Sequence, residues 1–177
     1  FRLGDRDLAT HLYRTQRLRD GAPLSVISGE IARALGVTCR ILPATDGRLR
    51  TMVQTDAGEL AFQDYFVRRR QQDDVRGIRF EGADCCVAAP GVSDAIRGAR
   101  AVIVAPSNPF VSIGPILAVP GLRDCLLTSR APVAAVTPII DGAAIKGPAA
   151  AMLGSLGHDV SALGVARLYQ DLVDVFV

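Results

Sequence analysis

Two apolar segments constrain the fold most strongly: residues 100–106 (RAVIVAP) and 131–140 (APVAAVTPII). Apolar runs of this length without polar alternation are typical of strands that are covered on both faces. Helical patterns lie around them at 91–99, 147–157 and 160–172, and the final VDVFV predicts another strand. The alternation predicts an α/β fold, Rossmann-like and doubly wound, with a mostly parallel sheet and helices on both faces.

The first half of the chain has a different pattern. Leu8, Leu12 and Leu18 fall near one face of a predicted helix that Gly21 closes, and a second helix is predicted at 23–36. Strands are predicted at 37–43, 49–56 and 75–83, the first two separated by the turn sequence ATDG, and segment 58–70 begins as a strand and then turns basic. One or two short helices are predicted within 112–129.

Composition limits the classes of function. The 177 residues are 49% hydrophobic and 21% charged, which predicts a single globular domain over residues 1–177. The formal charge of +2 argues against a polybasic surface for nucleic acid or membrane, and no Trp is present to stack on bases. No apolar run is long enough to span a bilayer.

The four cysteines, Cys39, Cys85, Cys86 and Cys125, lack the spacing of a zinc site. We expect buried, reduced thiols and therefore a cytoplasmic protein. The chain starts at Phe1 and ends in a strand-like segment. We therefore expect it to belong to a longer polypeptide, truncated at both ends.

The loops after the two apolar strands are the first candidate site. VAPSNPFVSIGP and VTPIIDGAAIKGP both run from a strand into a helix, an arrangement that can aim N–H groups at an anion. Their polar candidates for binding phosphate are Ser107, Asn108, Ser112 and Lys146. The alternative is an ordinary turn with a helix cap. No Walker loop and no G-x-G-x-x-G occur, which disfavours P-loop kinases and nicotinamide dehydrogenases.

The sequence GDRD near the N-terminus is the second candidate. Asp5 and Asp7 flank Arg6, and His11 lies one helical turn beyond Asp7. Two carboxylates could hold Mg²⁺, and the histidine could act as an acid or base. The alternative is a helix start with acidic residues in its first turn.

FQDYFVRRR, residues 62–70, is the third candidate. Gln63 and Asp64 are polar residues among aromatics, and the arginines that follow could neutralise an anionic substrate. The alternative is a solvated basic edge.

Six segments taken together resemble one family in this order. They are LGDRDLATHLYRTQRLRDG, FQDYFVRRR, VRGIRFEGA, APSNPFVSIGPILAVPG, TPIIDGAAIKGPA and GVARLYQDLVDVF. Over nearly the whole chain they resemble the 2-phospho-L-lactate transferases. Members of that family begin with a strand and a Gly-rich loop that are absent here, and they continue past VDVFV.

The resemblance implies a reaction in coenzyme F-420 biosynthesis. A phospholactyl or phosphoenolpyruvyl group passes from a GDP-activated donor to the ribityl hydroxyl of the deazaflavin Fo, and GMP leaves. It also implies Mg²⁺ dependence and a homodimer. By resemblance, Asp5, Arg6 and Asp7 line the Fo and metal region, and Ser107, Asn108, Ser112 and Lys146 face the donor phosphates. Gln63, Asp64 and Arg68 are weaker candidates near the acceptor.

The chain departs from the family pattern at two places. Ala61 stands where a histidine often precedes FQ, and Asp46 is followed by Gly47 where two acidic residues are usual. Either departure could alter contacts with the acceptor. The alternative function is a non-enzymatic regulator of metabolism with the same fold, which would bind a nucleotide sugar without turning it over.

Overall fold

Short strands and helices alternate along the chain in the computed structural model, which describes residues 3–144 and 147–177. The strands are β1 Arg50–Thr55, β2 Gly58–Ala61, β3 Val75–Glu81, β4 Val102–Val104, β5 Val133–Ala135, β6 Ile139–Ile140, β7 Ala143–Ala144 and β8 Val175–Phe176. The helices are α1 Asp5–Arg19, α2 Leu24–Ala34, α3 Val92–Arg97, α4 Gly114–Leu117, α5 Leu122–Leu127, α6 Ala149–Ser155 and α7 Ala162–Leu168. Asp64–Arg68 and Pro109–Ile113 are π-helical turns, and Ala83–Cys85 is a 3₁₀ turn.

The parallel sheet predicted from the apolar segments is present in the order β4-β5-β8. Val133 and Ala135 of the central strand are buried, and Ala135 belongs to a core that α6 and α7 cover with Leu153 and Val165. The α/β class is therefore confirmed. The described helices of this core lie on one face of the sheet.

The opposite face of the parallel sheet carries Ile103, Ala134 and Val175, which are neighbours across the three strands. Ile103 is 71% exposed and Val175 is 51% exposed. Because branched apolar side chains rarely form a bare sheet face in water, this surface differs from an ordinary protein exterior.

A second, antiparallel sheet has the order β2-β1-β3. Val53 at its centre is fully buried and pairs with Leu60 and Ile78 on either side. The predictions at 49–56 and 75–83 are confirmed as β1 and β3.

The predicted strand at 37–43 is wrong: the segment has no regular structure. Both edges of β1 are already occupied, by β2 and by β3. Residues 37–41 are exposed, so the segment also lacks a buried face to favour a strand.

The predicted strand at 131–140 is divided. β5 ends at Ala135, and Ile139–Ile140 instead pairs with Ala143–Ala144 in a two-residue hairpin. Asp141 (φ 50°) and Gly142 (φ 73°) form its turn, as the Asp-Gly dipeptide favours.

The N-terminal helices form a pair that packs mainly on itself. α1 contains no buried residue, and Leu8, Leu12 and Leu18 are 48–62% exposed, so their predicted apolar face is uncovered in the described chain. The pair is joined by Glu30, which accepts hydrogen bonds from Arg17 and from the Tyr13 hydroxyl.

All four cysteines are free thiols. Burial is confirmed for Cys86 and Cys125 and is wrong for Cys39 and Cys85, which are exposed. The segment around Cys39 is the irregular one described above, so it offers that thiol no core. Among the described residues, no helix has both the length and the apolar character needed to cross a membrane.

Candidate functional site

The loops after β4 and β5 meet at one cavity of about 480 Å³. The first loop contributes Pro106, Ser107 and Asn108, and the second contributes Pro138, Gly147 and Pro148. The remaining wall is formed by Phe62, Phe66, Val111, Ser112 and Ala149. Because β4 and β5 are parallel neighbours, their carboxyl ends lie at the same edge of the sheet, where α/β proteins bind ligands.

Asn108 organises the first loop. Its side chain is 8% exposed, and its Oδ1 accepts hydrogen bonds from the backbone N–H of Phe110 (2.9 Å) and Val111 (3.2 Å). Its backbone carbonyl accepts two more, from Ser112 and Ile113. With Pro109 at the first helical position, the Asn-Pro pair is a helix start. Four N–H groups of this loop are therefore turned toward Asn108 and not toward the cavity.

The Asn108 side chain also joins the two loops. Its Nδ2 donates to the sulfur of Met152 at 3.3 Å, and Met152 is fully buried on α6, the helix that follows the second loop. Met152 belongs to a core cluster with Val53 and Tyr65. Met152 thus links three parts of the chain. They are the first loop through Asn108, the antiparallel sheet through Val53, and the basic segment, residues 62–70, through Tyr65.

Gly114 brings the first loop against the antiparallel sheet. A Cβ at this position would lie 2.8 Å from the ring of Phe80 on β3 and 3.2 Å from the carbonyl oxygen of Pro109. A side chain at this position would therefore force the Phe80 ring and the neighbouring backbone to shift. The turn that follows the first loop therefore packs closely against β3.

The second loop returns to the cavity through a left-handed glycine. Gly147 has φ +75° and precedes Pro148 at the start of α6. This conformation strains a residue with a side chain. Lys146, which the sequence predicts as a phosphate ligand, lies outside the described residues.

Ser107 and Ser112 are the hydroxyl groups on the cavity wall, and both residues are half-buried. Among the described residues, neither hydroxyl makes a side-chain hydrogen bond within the protein. Hydroxyls of this kind can donate to a phosphate oxygen. The predicted roles of Ser107, Asn108 and Ser112 stay predictions, but Asn108 already uses its amide oxygen and nitrogen inside the protein.

The basic segment lies beside the cavity and is largely satisfied by its own acidic residues. Arg68 pairs with Asp64 at 3.1 Å, and Arg69 makes two hydrogen bonds to Asp73. The hydrogen bonds from Arg69 lower the pKa of the Asp73 carboxyl. Gln63 is exposed at the start of the turn. Gln63, Asp64 and Arg68 do not line the cavity, although their neighbours Phe62 and Phe66 do.

Sequence reasoning missed Phe62 and Phe66. The signal was present, since aromatic residues four positions apart share one face of a helical turn. The segment begins as β2 and continues as a π-helical turn, however, so neither a strand nor an α-helix period identifies the pair.

The GDRD segment lies elsewhere. Asp5, Arg6, Asp7 and His11 are exposed on α1, and Arg6 lines a separate groove between α1 and α2. The binding of Mg²⁺ by Asp5 and Asp7 stays a prediction. Because residues two positions apart on a helix face different directions, α1 favours one of the two carboxylates as the ligand. The described residues contain no group of three or more His, Cys, Asp or Glu side chains arranged for a metal. One carboxylate, with water and substrate phosphates, is a coordination that Mg²⁺ accepts.

Known proteins resemble the chain over almost its whole length. It is 40% identical over 176 residues to a 2-phospho-L-lactate transferase from Methanosarcina mazei, a match that covers 99% of this chain and 57% of that protein. It is 46% identical to a phosphoenolpyruvate transferase from Nocardia farcinica, covering 96% of this chain and 53% of that protein. The chain therefore spans little more than half the length of these relatives.

Solved structures support the fold alone. A crystal structure of a UPF0052 family protein from Bacillus halodurans matches 71% of this chain and 40% of its own, with a TM-score of 0.58 and 17% identity. A second structure from Bacillus halodurans matches 93% of this chain and 50% of its own, with a TM-score of 0.65 and 16% identity. The family model described as 2-phospho-L-lactate transferase CofD matches residues 1–177. With this whole-chain match, the chain belongs to the 2-phospho-L-lactate transferase CofD family.

Proposed function

We propose that the full-length protein transfers a 2-phospho-L-lactyl or phosphoenolpyruvyl group from a GDP-activated donor to the ribityl hydroxyl of Fo, with release of GMP. The observation that carries the proposal is the meeting of both strand-end loops at one cavity, in a chain that matches this family from end to end. A nucleoside diphosphate donor needs polar groups for its phosphates, and the Ser107 and Ser112 hydroxyls lie on the wall of this cavity.

The reaction balances as a substitution at phosphorus. The ribityl oxygen of Fo forms a bond to the phosphorus of the transferred group, the bond to the GMP oxygen breaks, and the ribityl proton passes to a base. No covalent enzyme intermediate is needed, because positioning and charge stabilisation can carry phosphoryl-type transfer. In this proposal the Ser107 and Ser112 hydroxyls donate to donor phosphate oxygens, and Lys146 neutralises part of their charge.

The α1 residues supply the metal and acid–base part of the proposal. Because α1 does not line the strand-end cavity, this part requires α1 to meet the donor phosphates in the full-length protein. Either Asp5 or Asp7 holds Mg²⁺ together with substrate phosphates, and His11 is the candidate base. When bound, the ion stabilises negative charge on the reacting phosphate. Because residues two positions apart on a helix face different directions, we expect Asp5→Asn and Asp7→Asn to differ.

Magnesium titration of turnover in the full-length protein tests this assignment. One of the two variants should lower turnover and require more Mg²⁺ for half-maximal rate, while the other should follow the wild-type curve. Asp20→Asn at the other end of α1 is the matched control, since it removes an exposed carboxylate far along the same helix. Identical titration curves for all four proteins would contradict it.

The proposal includes both possible donors, activated 2-phospho-L-lactate and activated phosphoenolpyruvate. The Methanosarcina relative is named for 2-phospho-L-lactate and the Nocardia relative for phosphoenolpyruvate. Competition between the two activated donors, followed by the mass of the product, identifies the preferred acid.

Mass spectrometry of Fo incubated with an activated donor and the full-length enzyme tests the function itself. The expected result is Fo increased by the phospholactyl or phosphoenolpyruvyl group, together with one equivalent of GMP. Ser112→Ala should slow product formation, and Ser93→Ala on α3, outside the cavity, should not. Binding of GDP without product would contradict the proposal and favour the regulator, and light scattering would test the expected homodimer.

A further inference from the structure

We propose that Phe62 and Phe66 form the surface on which the fused aromatic ring of the acceptor lies, an assignment that rests on the proposed function. The two rings line the cavity that the strand-end loops share. Neither residue was expected to contact a ligand from the sequence.

The two phenylalanine rings stack on each other at the cavity wall. Their ring centroids are 5.5 Å apart with an angle of 24° between the ring planes. Both residues are half-buried. A planar ligand can extend such a stack by lying on a ring face that the neighbouring ring leaves uncovered.

The surface is held in place from behind. Phe62 and Phe66 pack against the core cluster that contains Val53, Tyr65 and Met152, all of which are fully buried. Phe62 also contacts the Tyr65 ring, with centroids 6.4 Å apart. A rigid aromatic wall loses little conformational freedom when a ligand binds, which favours affinity.

The lining of the cavity favours a ligand that is held by its ring faces, and the three fused rings of Fo present a wider face for stacking than the two rings of guanine. The polar edges of both ring systems need partners beyond this apolar wall. Beside the rings and the two serines, the described wall consists of Pro106, Val111, Pro138, Gly147, Pro148 and Ala149, together with Asn108. The oxygen and nitrogen of the Asn108 amide are already engaged within the protein. The two serine hydroxyls remain for the ribityl chain and the phosphates.

Binding measurements on the full-length protein separate the two ligands. Removal of one aromatic ring by Phe66→Leu should weaken Fo binding about tenfold, the scale of one lost stacking contact, and should leave GDP binding within about twofold. Phe66→Tyr keeps the ring and should restore Fo affinity. Phe176→Leu, which removes a ring packed near Tyr169 away from the cavity, should change neither constant.

A second measurement does not depend on the folding of variants. In wild-type protein with labelled phenylalanine, nuclear Overhauser effects should connect phenylalanine ring protons with the ring protons of bound Fo. Absence of these effects, unchanged Fo affinity in Phe66→Leu, or an equal loss of GDP affinity would each overturn the assignment. Failure of the proposed function would give a different result from failure of this assignment. Fo would still bind through these rings, but no transfer product would form.

Discussion

The strand-end cavity and helix α1 were both predicted to carry chemistry, and they are built in opposite ways. The cavity wall is tied to the core by Asn108, Met152 and Gly114, each with buried or close contacts. Helix α1 has no buried residue and packs on α2. The described residues therefore hold the cavity wall through buried contacts, whereas they hold the GDRD carboxylates only through the α1–α2 pair.

The largest difference should appear when an apolar side chain is shortened in each region. Met152→Ala leaves a cavity in a fully buried cluster and should lower the free energy of unfolding by about 2–5 kcal/mol. Leu12→Ala on α1 removes a side chain that is 62% exposed and should change it by less than about 0.5 kcal/mol. Urea denaturation checks both values. Similar losses of unfolding free energy in the two variants would show that Leu12 is as well packed as the core cluster that contains Met152.

The hydrogen bonds of Asn108 should come next. Asn108→Ala removes the acceptor for Phe110 and Val111 and should cost about 1–2 kcal/mol in thermal unfolding. Asn108→Ser keeps an acceptor oxygen at the helix start and should recover part of the loss. Equal losses for the two variants would mean that the first loop is held by packing alone.

Tyr169 is an exception within the packed region. It lies in the core below the second loop, and its buried hydroxyl has no partner among the described residues. Tyr169→Phe should therefore raise stability slightly, by about 0.5–1 kcal/mol, because an unpaired buried hydroxyl is costly. Lower stability in the variant at pH 7 would show that the hydroxyl has a favourable partner.

The same residue gives a pH dependence. Burial raises the pKa of Tyr169 to about 12 from its ordinary value of 10.0, so the folded chain keeps a proton that the unfolded chain loses. Ionisation of this group therefore leaves the free energy of unfolding unchanged below pH 10 and lowers it as the pH rises from 10 toward 12, because only the unfolded chain releases the proton in that range. The denaturation midpoint of wild type should fall over this range more steeply than that of Tyr169→Phe.

The smallest effect should come from the contact that joins α1 to α2. Hydrogen bonds from Arg17, then from Tyr13, lower the pKa of the Glu30 carboxyl. Its contribution is present at neutral pH and is lost as the pH falls below the ordinary value of 4.5. Glu30→Gln should weaken protection of α1 from hydrogen exchange at pH 7 without changing that of β5, and this difference should narrow in acid.

Sequence patterns predict the parts of the fold that depend on local chemistry. The apolar run that precedes each strand-end loop identifies β4 and β5. The Asp141-Gly142 dipeptide forms the turn that its sequence favours. The strand predicted at 37–43 fails because β-branched residues need a free strand edge, and that depends on distant residues.

The candidate site, too, could be predicted only where it depends on local sequence and on the topology of the parallel strands. Ser107 and Ser112 do line a cavity, since the carboxyl ends of neighbouring parallel strands meet by topology. The internal role of Asn108 depends on Met152, which is 44 residues away along the chain, so no local pattern could reveal it. Phe62 and Phe66 were missed because the segment that carries them passes from strand β2 into a π-helical turn. Neither the two-residue period of a strand nor the 3.6-residue period of an α-helix therefore relates them.

The side of the parallel sheet that bears Ile103, Ala134 and Val175 has a practical consequence. A stripe of aliphatic groups three strands wide attracts hydrophobic dyes, detergents and other copies of itself, because water is released when it is covered. Replacing Ile103 by a charged residue should make these 177 residues easier to keep in solution, while the cavity formed on the two strand-end loops retains its shape.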